Sequence, residues 1–300
     1  MAHDLVLTLA DLRAASFPGT ELAVLGFPVA HSLSPRMHNA ALAHLAEADP
    51  RFASWHYSRF EVAPGDLPEA LDLLARRGFR GVNLTVPHKV AVVGLVAEID
   101  PQARKAGAVN TLLAGARGWK GFNTDGYGLN SAVAEAFGAG LAGRPIVLLG
   151  AGGAARGAAV ECLLAGCASL AIGNRTVERR DALLALLHPL AGAAALSSFD
   201  PGRANPPVPA GALVVNATSL GLKPTDQAPL ALASIPRPKA VFDMIYNPPE
   251  TALIREAKAL GVPASSGLGM LAHQGAKALE IWTGVPAART VPIMIAALRT

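Results

Sequence analysis

The ten residues from Ile146 to Ala155, IVLLGAGGAA, decide the fold of half of this chain. Ile146–Gly150 is a continuous apolar run, which is the pattern of a strand buried on both faces of a parallel sheet. The turn Gly150-Ala151-Gly152-Gly153-Ala154-Ala155 follows, and an alanine-rich helix is predicted over Ala154–Ala165. A G-x-G-x-x-A turn between a strand and a helix is typical of a Rossmann-type dinucleotide-binding domain, because it brings backbone and a helix N-terminus close to a pyrophosphate. The alternative is an ordinary loop in a glycine-rich chain.

The end of the next predicted strand, Leu170–Asn174, indicates which dinucleotide binds. An NAD enzyme would carry an acidic residue about 20 residues after the first glycine. Here that place holds Asn174-Arg175-Thr176. Arg175 can pair with a 2′-phosphate through two hydrogen bonds, and Arg179 lies one helical turn further on. We therefore predict NADP(H) as the cofactor; the alternative is a helix cap at Thr176 beside solvated arginines.

Length and composition limit the class of protein. The chain has 300 residues, which favours two hydrophobic cores over one. Its net charge of +4 comes from scattered basic residues, so we expect no nucleic-acid partner. No apolar run reaches the ~18 residues of a membrane span, so we expect no membrane partner either. The only cysteines, Cys162 and Cys167, lie five residues apart, which argues against a disulfide framework or a zinc site. We therefore expect a reducing cytoplasm.

Strand-like and helix-like segments alternate along the chain, which indicates parallel α/β sheets. A first series is predicted as the strands Leu22–Gly26, Ser54–Arg59 and Gly81–Thr85, with helices at Ser34–Glu47 and Pro68–Arg77. A polar turn at Gly121–Gly128 and a helix over Gly126–Phe137 separate it from the second series. The second series is predicted as the strands Ile146–Gly150, Leu170–Asn174, Ala212–Asn216 and Ala240–Met244, and Met270–Thr300 as two closing helices.

Five polar segments stand outside the buried runs. They are HSLSP (31–35), NLTVPHK (83–89), AVNT (108–111), NTDG (123–126) and GLGMLAHQ (267–274). With the glycine-rich turn and the segment NATS (216–219), they resemble the shikimate dehydrogenase family in sequence and order, from about residue 21 to the end of the chain.

This resemblance implies an enzyme that reversibly reduces 3-dehydroshikimate to shikimate with NADPH, a step in the biosynthesis of aromatic amino acids. It also implies two α/β domains with a cleft between them. Residues 1–124 plus 267–300 would form a discontinuous substrate-binding domain, and residues 125–266 the Rossmann-type NADP-binding domain.

Lys89 and Asp125 match the catalytic pair of the family. A lysine ammonium can stabilise a developing alkoxide and donate a proton to it. Asp125 would accept a hydrogen bond from a substrate hydroxyl and orient the lysine. The alternatives are a solvated lysine after a strand, and an N-cap for the helix that follows Asp125.

The resemblance also implies the residues that bind substrate and cofactor. Those matching substrate-binding positions are Ser32, Ser34 and Tyr246 for the carboxylate, and Thr85, Asn110 and Gln274 for the ring hydroxyls. Ser34 could instead be an N-cap before Pro35, and Asn110 a turn residue. The full set predicted for the cofactor is Gly150, Ala151, Gly152, Gly153, Ala154, Asn174, Arg175, Thr176, Arg179, Ala217, Thr218, Met244 and Gly267.

Three histidines, His31, His88 and His273, lie beside these motifs without the spacing of a metal site, so we expect no metal. Two rival functions stay open. One is a quinate/shikimate dehydrogenase of dual specificity, which would often prefer NAD; Asn174-Arg175-Thr176 argues against it. The other is a non-catalytic ligand-sensing relative, which would need neither Lys89 nor Asp125. A monomer and a homodimer are equally compatible with the sequence.

Overall fold

Two β-sheets organise the chain, one in each of two units. The computed structural model describes residues 5–299, so the ends of the expected first domain, residues 1–4 and Thr300, lie outside it. Unit 1 comprises the chain up to Thr124 and from Ala272 onward, and unit 2 comprises Asp125–Leu271. The return to unit 1, expected at Gly267, falls at Ala272, inside a helix that begins in unit 2.

Unit 1 alternates strands with helices as far as residue 106 and then forms a hairpin. Its elements are β1 (Leu7–Thr8), α1 (Leu9–Ala14), β2 (Thr20–Gly26), α2 (Ser34–Ala48), β3 (Trp55–Glu61), α3 (Leu67–Arg76), β4 (Gly81–Leu84), α4 (His88–Ala91), β5 (Glu98–Ile99), α5 (Pro101–Ala106), β6 (Thr111–Gly115) and β7 (Gly118–Phe122). Two helices at the end of the chain complete it, α10 (Leu268–Thr283) and α11 (Ala287–Arg299), which confirms the predicted closing pair.

The described strands of unit 1 form a seven-stranded sheet in the order β1-β3-β2-β4-β6-β7-β5. The pairs of β1, β2, β3 and β4 are parallel, whereas β6 runs antiparallel to both β4 and β7. The expectation of a wholly parallel sheet is therefore wrong here. The reason is the two-residue turn between Gly115 and Gly118, which is too short for a crossover and closes a hairpin.

The core of unit 1 lies on both faces of this sheet. On one face α3 buries a stripe at helical spacing, made of Leu67, Ala70, Leu71 and Leu74. Phe60 of β3 and Phe79 pack edge-to-face beside it, with ring centroids 5.9 Å apart. From the closing helices, Trp282 covers Gly81 of β4 and donates its indole N–H to the carbonyl of Leu112 over 2.9 Å. The end of the chain is thus part of the first unit's core.

Unit 2 begins at the residue after Thr124. Its elements are α6 (Asp125–Phe137), β8 (Pro145–Leu149), α7 (Gly153–Leu164), β9 (Ser169–Gly173), α8 (Val177–Leu187), β10 (Ala195–Phe199), β11 (Leu213–Asn216), β12 (Ala240–Asp243), α9 (Ala252–Ala259) and β13 (Ala264–Ser266). The described strands form a six-stranded sheet in the order β10-β9-β8-β11-β12-β13, and every pair is parallel.

The strand order of unit 2 reverses direction between β8 and β11. Strands β9 and β10 follow on one side of β8, and β12 and β13 follow on the far side of β11. Loops at the carboxyl ends of the strands diverge at such a switch point and leave room for a ligand. The glycine-rich turn follows β8 at this edge. No helix among residues 5–299 is long and apolar enough to pass through a bilayer.

Helices α6 and α7 pack closely because Gly126 in the first turn of α6 has no side chain. An added Cβ at Gly126 would overlap the carboxyl group of Glu161 in α7. Burial against α6 raises the pKa of Glu161 from 4.5 to about 7. The folded protein therefore holds a proton on this side chain that the unfolded chain has already released at pH 6.

We expect Glu161→Gln to stabilise the protein at pH 8 but not at pH 5. Between the two pKa values the folded state binds more protons at Glu161 than the unfolded state, so wild-type stability falls as the pH rises from about 5 to 7. The glutamine variant lacks this loss, which corresponds to at most about 3 kcal/mol. Urea unfolding at both pH values measures it, with the exposed Glu178→Gln of α8 as the control. An equal effect of E161Q at both pH values would contradict the assignment.

Candidate functional site

The glycine-rich turn of unit 2 has a backbone that a side chain would block. Gly150 has φ +114°, and its N–H donates to the carbonyl of Gly173 over 2.8 Å. A Cβ at Gly150 would lie 3.0 Å from the carbonyl oxygen of Ala217. Around Gly152 and Gly153, by contrast, no described atom lies within 4 Å of an added Cβ. The turn is closed towards the sheet and open where a ligand would approach.

Helix α7 presents its N-terminus at this open side. Gly152 is the N-cap, and no side chain caps the first N–H groups of the helix. Unpaired N–H groups at a helix N-terminus attract an anion such as a pyrophosphate. The predicted cofactor residues Gly150 to Ala154 therefore form one continuous cradle between β8 and α7.

The segment after β9 carries two exposed arginines. The side-chain amide of Asn174 donates to the carbonyl of Thr176 over 2.9 Å and fixes the loop. Arg175 and Arg179 are exposed, and neither forms an ion pair or hydrogen bond with another residue of the described part of the chain. Thr176 is the N-cap of α8, but its hydroxyl makes no capping hydrogen bond, so the side-chain cap considered from the sequence is wrong. Its hydroxyl and both guanidinium groups are available to an anion.

A buried carboxylate holds the next two loops of unit 2. Asp243, at the end of β12, lies directly opposite Asn216, at the end of β11. It accepts hydrogen bonds from the Asn216 side chain at 3.0 Å, the Ile245 N–H at 3.0 Å and the Thr251 hydroxyl at 2.6 Å. Burial raises the pKa of Asp243, while these three bonds favour the charged form. No sequence motif marks this residue.

The Asn216–Asp243 pair positions the remaining predicted residues of unit 2. The Asn216 side-chain oxygen accepts from the N–H and hydroxyl of Thr218, next to Ala217. Beyond Asp243 come Met244 and Tyr246, and burial raises the pKa of the Tyr246 hydroxyl. The backbone of Met244 packs so tightly on Gly267 that a Cβ at Gly267 would overlap the Met244 carbonyl. The predicted Ala217, Thr218, Met244 and Gly267 thus follow neighbouring strands.

In unit 1, Arg59 of β3 holds the segment that carries the two predicted serines. Its buried guanidinium donates to the carbonyls of Ala30 at 2.7 Å and Ser32 at 3.2 Å. The Ser32 hydroxyl accepts from the Ser34 N–H at 3.3 Å. Leu33, with no side-chain hydrogen bond, is the N-cap of α2, and Ser34 is its first residue. The alternative interpretation of Ser34 as the N-cap is therefore wrong.

Thr85 and Lys89 follow β4 on a short connection into α4. The Thr85 N–H donates to the Leu25 carbonyl, and the Thr85 carbonyl accepts from the His88 N–H, each over 2.9 Å. The Lys89 carbonyl accepts from Val109 over 2.8 Å, and its side chain is half-buried. His88 is fully buried and donates through Nε2 to the Val62 carbonyl over 2.9 Å, and burial lowers its pKa. These bonds fix the backbone under the lysine.

Asn110 joins three distant parts of the chain. Its side chain is 2% exposed, and its amide donates to the Thr124 hydroxyl at 3.0 Å and to the Gln274 side-chain oxygen at 3.5 Å. Its oxygen accepts from the Thr124 N–H at 2.8 Å and from the Thr111 hydroxyl at 2.9 Å. Asn110 is thus the centre of a buried network, and not the turn residue considered as the alternative.

Asn83 extends this network and was not singled out from the sequence. Its amide donates to the Thr111 hydroxyl at 2.9 Å and to the Asn110 carbonyl at 3.1 Å. Asp125 is joined to the network through the chain, since it directly follows Thr124. Asp125 is the first residue of α6 in unit 2, whereas Lys89 belongs to unit 1. Asp125 therefore occupies the first helical turn, and not the N-cap position considered from the sequence.

Comparison with known proteins identifies the family. A model of the shikimate dehydrogenase substrate-binding domain matches residues 24–112, and one of the shikimate 5′-dehydrogenase C-terminal domain matches residues 267–299. A protein of Moorella thermoacetica named shikimate dehydrogenase (NADP(+)) is 44% identical over 277 residues, 91% of this chain and 90% of that protein. The chain belongs to the shikimate dehydrogenase family. The resemblance inferred from the five motifs is thereby confirmed.

Solved structures agree with this family membership. Shikimate 5-dehydrogenase of Thermus thermophilus, in complex with NADP(H) and shikimate, is 38% identical with a TM-score of 0.77, covering 92% of this chain and 99% of that one. Ligand-free 5-ketofructose reductase of a Gluconobacter species is 32% identical with a TM-score of 0.81, covering 93% and 99%. As a shikimate dehydrogenase family member with an α/β substrate-binding unit and a Rossmann-type unit, the chain has the predicted fold class and NADP as its cofactor.

Proposed function

We propose that this chain catalyses the reversible NADPH-dependent reduction of 3-dehydroshikimate to shikimate. The observation that carries the proposal is the Asn110 network, which gathers Thr124 and Gln274 around one buried amide beside the loop that carries Lys89. Amide and hydroxyl groups gathered at one place favour a ligand with several hydroxyl groups that can exchange hydrogen bonds with them. A polyhydroxylated ring fits this requirement.

We propose that two groups of substrate-site residues bind different parts of the substrate. The hydroxyls of Ser32 and Ser34, with that of Tyr246, donate to the substrate carboxylate. Thr85, Asn110 and Gln274 bind the ring hydroxyls. The support for the first group is the fixed backbone of the serine segment, which Arg59 holds through two carbonyls. Preorganised donors of this kind bind without a further ordering cost.

The proposed chemistry requires one hydride and one proton. NADPH held by the glycine-rich turn of unit 2 would supply the hydride. The Lys89 ammonium stabilises the negative charge that develops on the carbonyl oxygen and donates the proton that completes the hydroxyl group. Asp125 accepts a hydrogen bond from a neighbouring substrate hydroxyl and orients the lysine. In the oxidation of shikimate, neutral Lys89 takes the same proton back.

The residues of unit 2 fit NADP(H). The open turn from Gly150 to Ala154 and the uncapped N-terminus of α7 suit the pyrophosphate. Arg175 and Arg179, which have no partner among the described residues, suit the 2′-phosphate. The three residues that directly follow β9, Asn174, Arg175 and Thr176, include no acidic side chain that would repel this phosphate. We further propose that the protein acts in the cytoplasm, where its two buried thiols stay reduced, as a monomer or homodimer.

Initial rates with shikimate and quinate, each with NADP⁺ and NAD⁺, test the function directly. We expect shikimate with NADP⁺ to give the highest kcat/KM of the four, by about tenfold or more. The comparison is needed because a 5-ketofructose reductase shares this backbone as closely as a shikimate dehydrogenase does. A dominant rate with quinate and NAD⁺ would overturn the proposal in favour of the dual-specificity alternative. Binding of shikimate without any turnover would favour a ligand sensor.

Lys89→Ala should abolish turnover while substrate binding persists. Loss of the proton donor and of charge stabilisation is expected to lower kcat by about 10³-fold, with the Kd for shikimate changed less than about tenfold. Stopped-flow or steady-state rates and isothermal titration calorimetry measure the two quantities. Lys105→Ala, which removes an exposed lysine from α5 of the same unit, is the control. Unchanged kcat in K89A would refute the role of the lysine.

Arg175→Ala should discriminate between the cofactors. We expect the KM for NADP⁺ to rise by about tenfold or more and that for NAD⁺ to change less than about twofold, because only NADP⁺ carries the 2′-phosphate. Lys239→Ala is the matched control, since Lys239 is exposed and precedes β12 at the opposite edge of the same sheet. An equal rise in the KM for both cofactors would contradict binding of the 2′-phosphate by Arg175.

A further inference from the structure

A buried tyrosine that the proposed chemistry does not use lies between two groups of substrate-site residues in unit 1. Tyr57 belongs to β3 and is 1% exposed. Its ring stacks on His38 of α2, with centroids 4.1 Å apart and planes 10° from parallel. The backbone of Tyr57 is held by the Asn39 side chain, which donates to its carbonyl and accepts from its N–H, each over 2.8 Å. The ring is therefore fixed from two sides.

The Tyr57 hydroxyl donates its hydrogen to Asn83, and the surrounding bonds determine this direction. The Asn83 amide nitrogen already donates to Thr111 and to the Asn110 carbonyl. The Asn83 oxygen must therefore face Tyr57, at 2.7 Å, where it can only accept. The Thr111 hydroxyl in turn donates a hydrogen bond to the Asn110 side-chain oxygen over 2.9 Å. A single line of hydrogen bonds leads from Tyr57 to Asn110.

The stacked His38 ring links Tyr57 to the segment that carries Ser32 and Ser34. Ser34 is the first residue of α2, and His38 lies one turn further along the same helix. His38 donates from Nδ1 to the Ser34 carbonyl over 2.9 Å, because a carbonyl can only accept. Burial lowers the pKa of His38 to about 4, so the ring that supports Tyr57 is neutral. The backbone of Ser34 is thus tied to the His38–Tyr57 stack.

We propose that Tyr57 is a positioning residue of the substrate site, whose ring supports Ser34 through His38 and whose hydroxyl holds Asn83 and, through Asn83, Asn110. This inference rests on the proposed function, in which Ser34 meets the carboxylate and Asn110 the ring hydroxyls at the other end of the same molecule. A ligand with fixed distances between its polar groups needs its two sets of partners at a fixed separation. One buried side chain, linked to one set through its hydroxyl and to the other through its stacked ring, supplies that constraint.

Tyr57→Phe tests the proposal, because phenylalanine keeps the stacked ring and removes one oxygen atom. The variant leaves the Asn83 oxygen buried without a donor, so the Asn83 side chain is no longer fixed. We expect the KM for shikimate to rise about tenfold, which corresponds to the usual effect of one unpaired buried polar group. The KM for NADP⁺ should change less than about twofold and kcat less than about threefold, because neither the cofactor nor Lys89 contacts this hydroxyl.

Thr290→Val is the matched control. Thr290 is 1% exposed in α11 of the same unit, and its hydroxyl donates to the Ala287 carbonyl of its own helix. This variant also loses one buried hydroxyl, so its Tm should fall by a similar amount, while its KM for shikimate stays at the wild-type value. An unchanged KM in Y57F, or an equal rise in T290V, would overturn the positioning role.

A substrate-free measurement separates this proposal from the proposed function. Hydrogen exchange of the side-chain amides of Asn83 and Asn110 can be followed by NMR in the apo protein. We expect slow exchange in the wild type and in T290V, and faster exchange at both amides in Y57F. If the wild type does not oxidise shikimate, the proposed function is refuted. The exchange rates still test the positioning role of Tyr57 in that case. Unchanged exchange at Asn110 in Y57F refutes the proposal whatever the kinetics show.

Discussion

The hydrogen bonds of the buried Asn110 side chain are the constraint on which the substrate unit depends. A buried amide is costly unless both its donors and its acceptor are paired. Thr111, Thr124 and Gln274 pair it here, and they come from a strand, from the junction with unit 2 and from a closing helix. Three parts of the chain that are far apart in sequence must therefore be in place together. The polar groups that would bind a hydroxylated ring are the same groups that secure the fold around them.

In unit 2 the corresponding constraint is the meeting of parallel strands at one edge. The Gly150 turn after β8, the Asn174 segment after β9, Thr218 after β11 and Met244 after β12 all follow carboxyl ends of strands. The Asn216–Asp243 pair ties two of these loops with buried hydrogen bonds. The sheet thus supplies the alignment, and a few polar side chains at its edge supply the rigidity that a nucleotide site requires.

Sequence patterns predicted the parts of the structure that local rules determine. Continuous apolar runs located β8, β9, β11 and β12 to within a residue or two, because strands buried on both faces admit little else. Strand β10 was missed, since its sequence ALSSF is half exposed and lacks that signal. The β6–β7 hairpin was missed as well, because Gly115 and Gly118 mark a turn only once the pairing of the two strands is known. Motif order identified the site segments, but their supports, Arg59, Tyr57 and Asp243, are isolated residues in strands with no local signature.

The division of unit 1 between the two ends of the chain has a consequence for synthesis on the ribosome. Unit 2 is continuous from Asp125 to Leu271, so it can fold as soon as its last strand has emerged. The strands of the first unit are made earlier. Its fold is complete only when Trp282 covers Gly81 and Gln274 bonds to Asn110. The part of this sheet that the closing helices cover therefore stays exposed to solvent while the second half of the chain is translated.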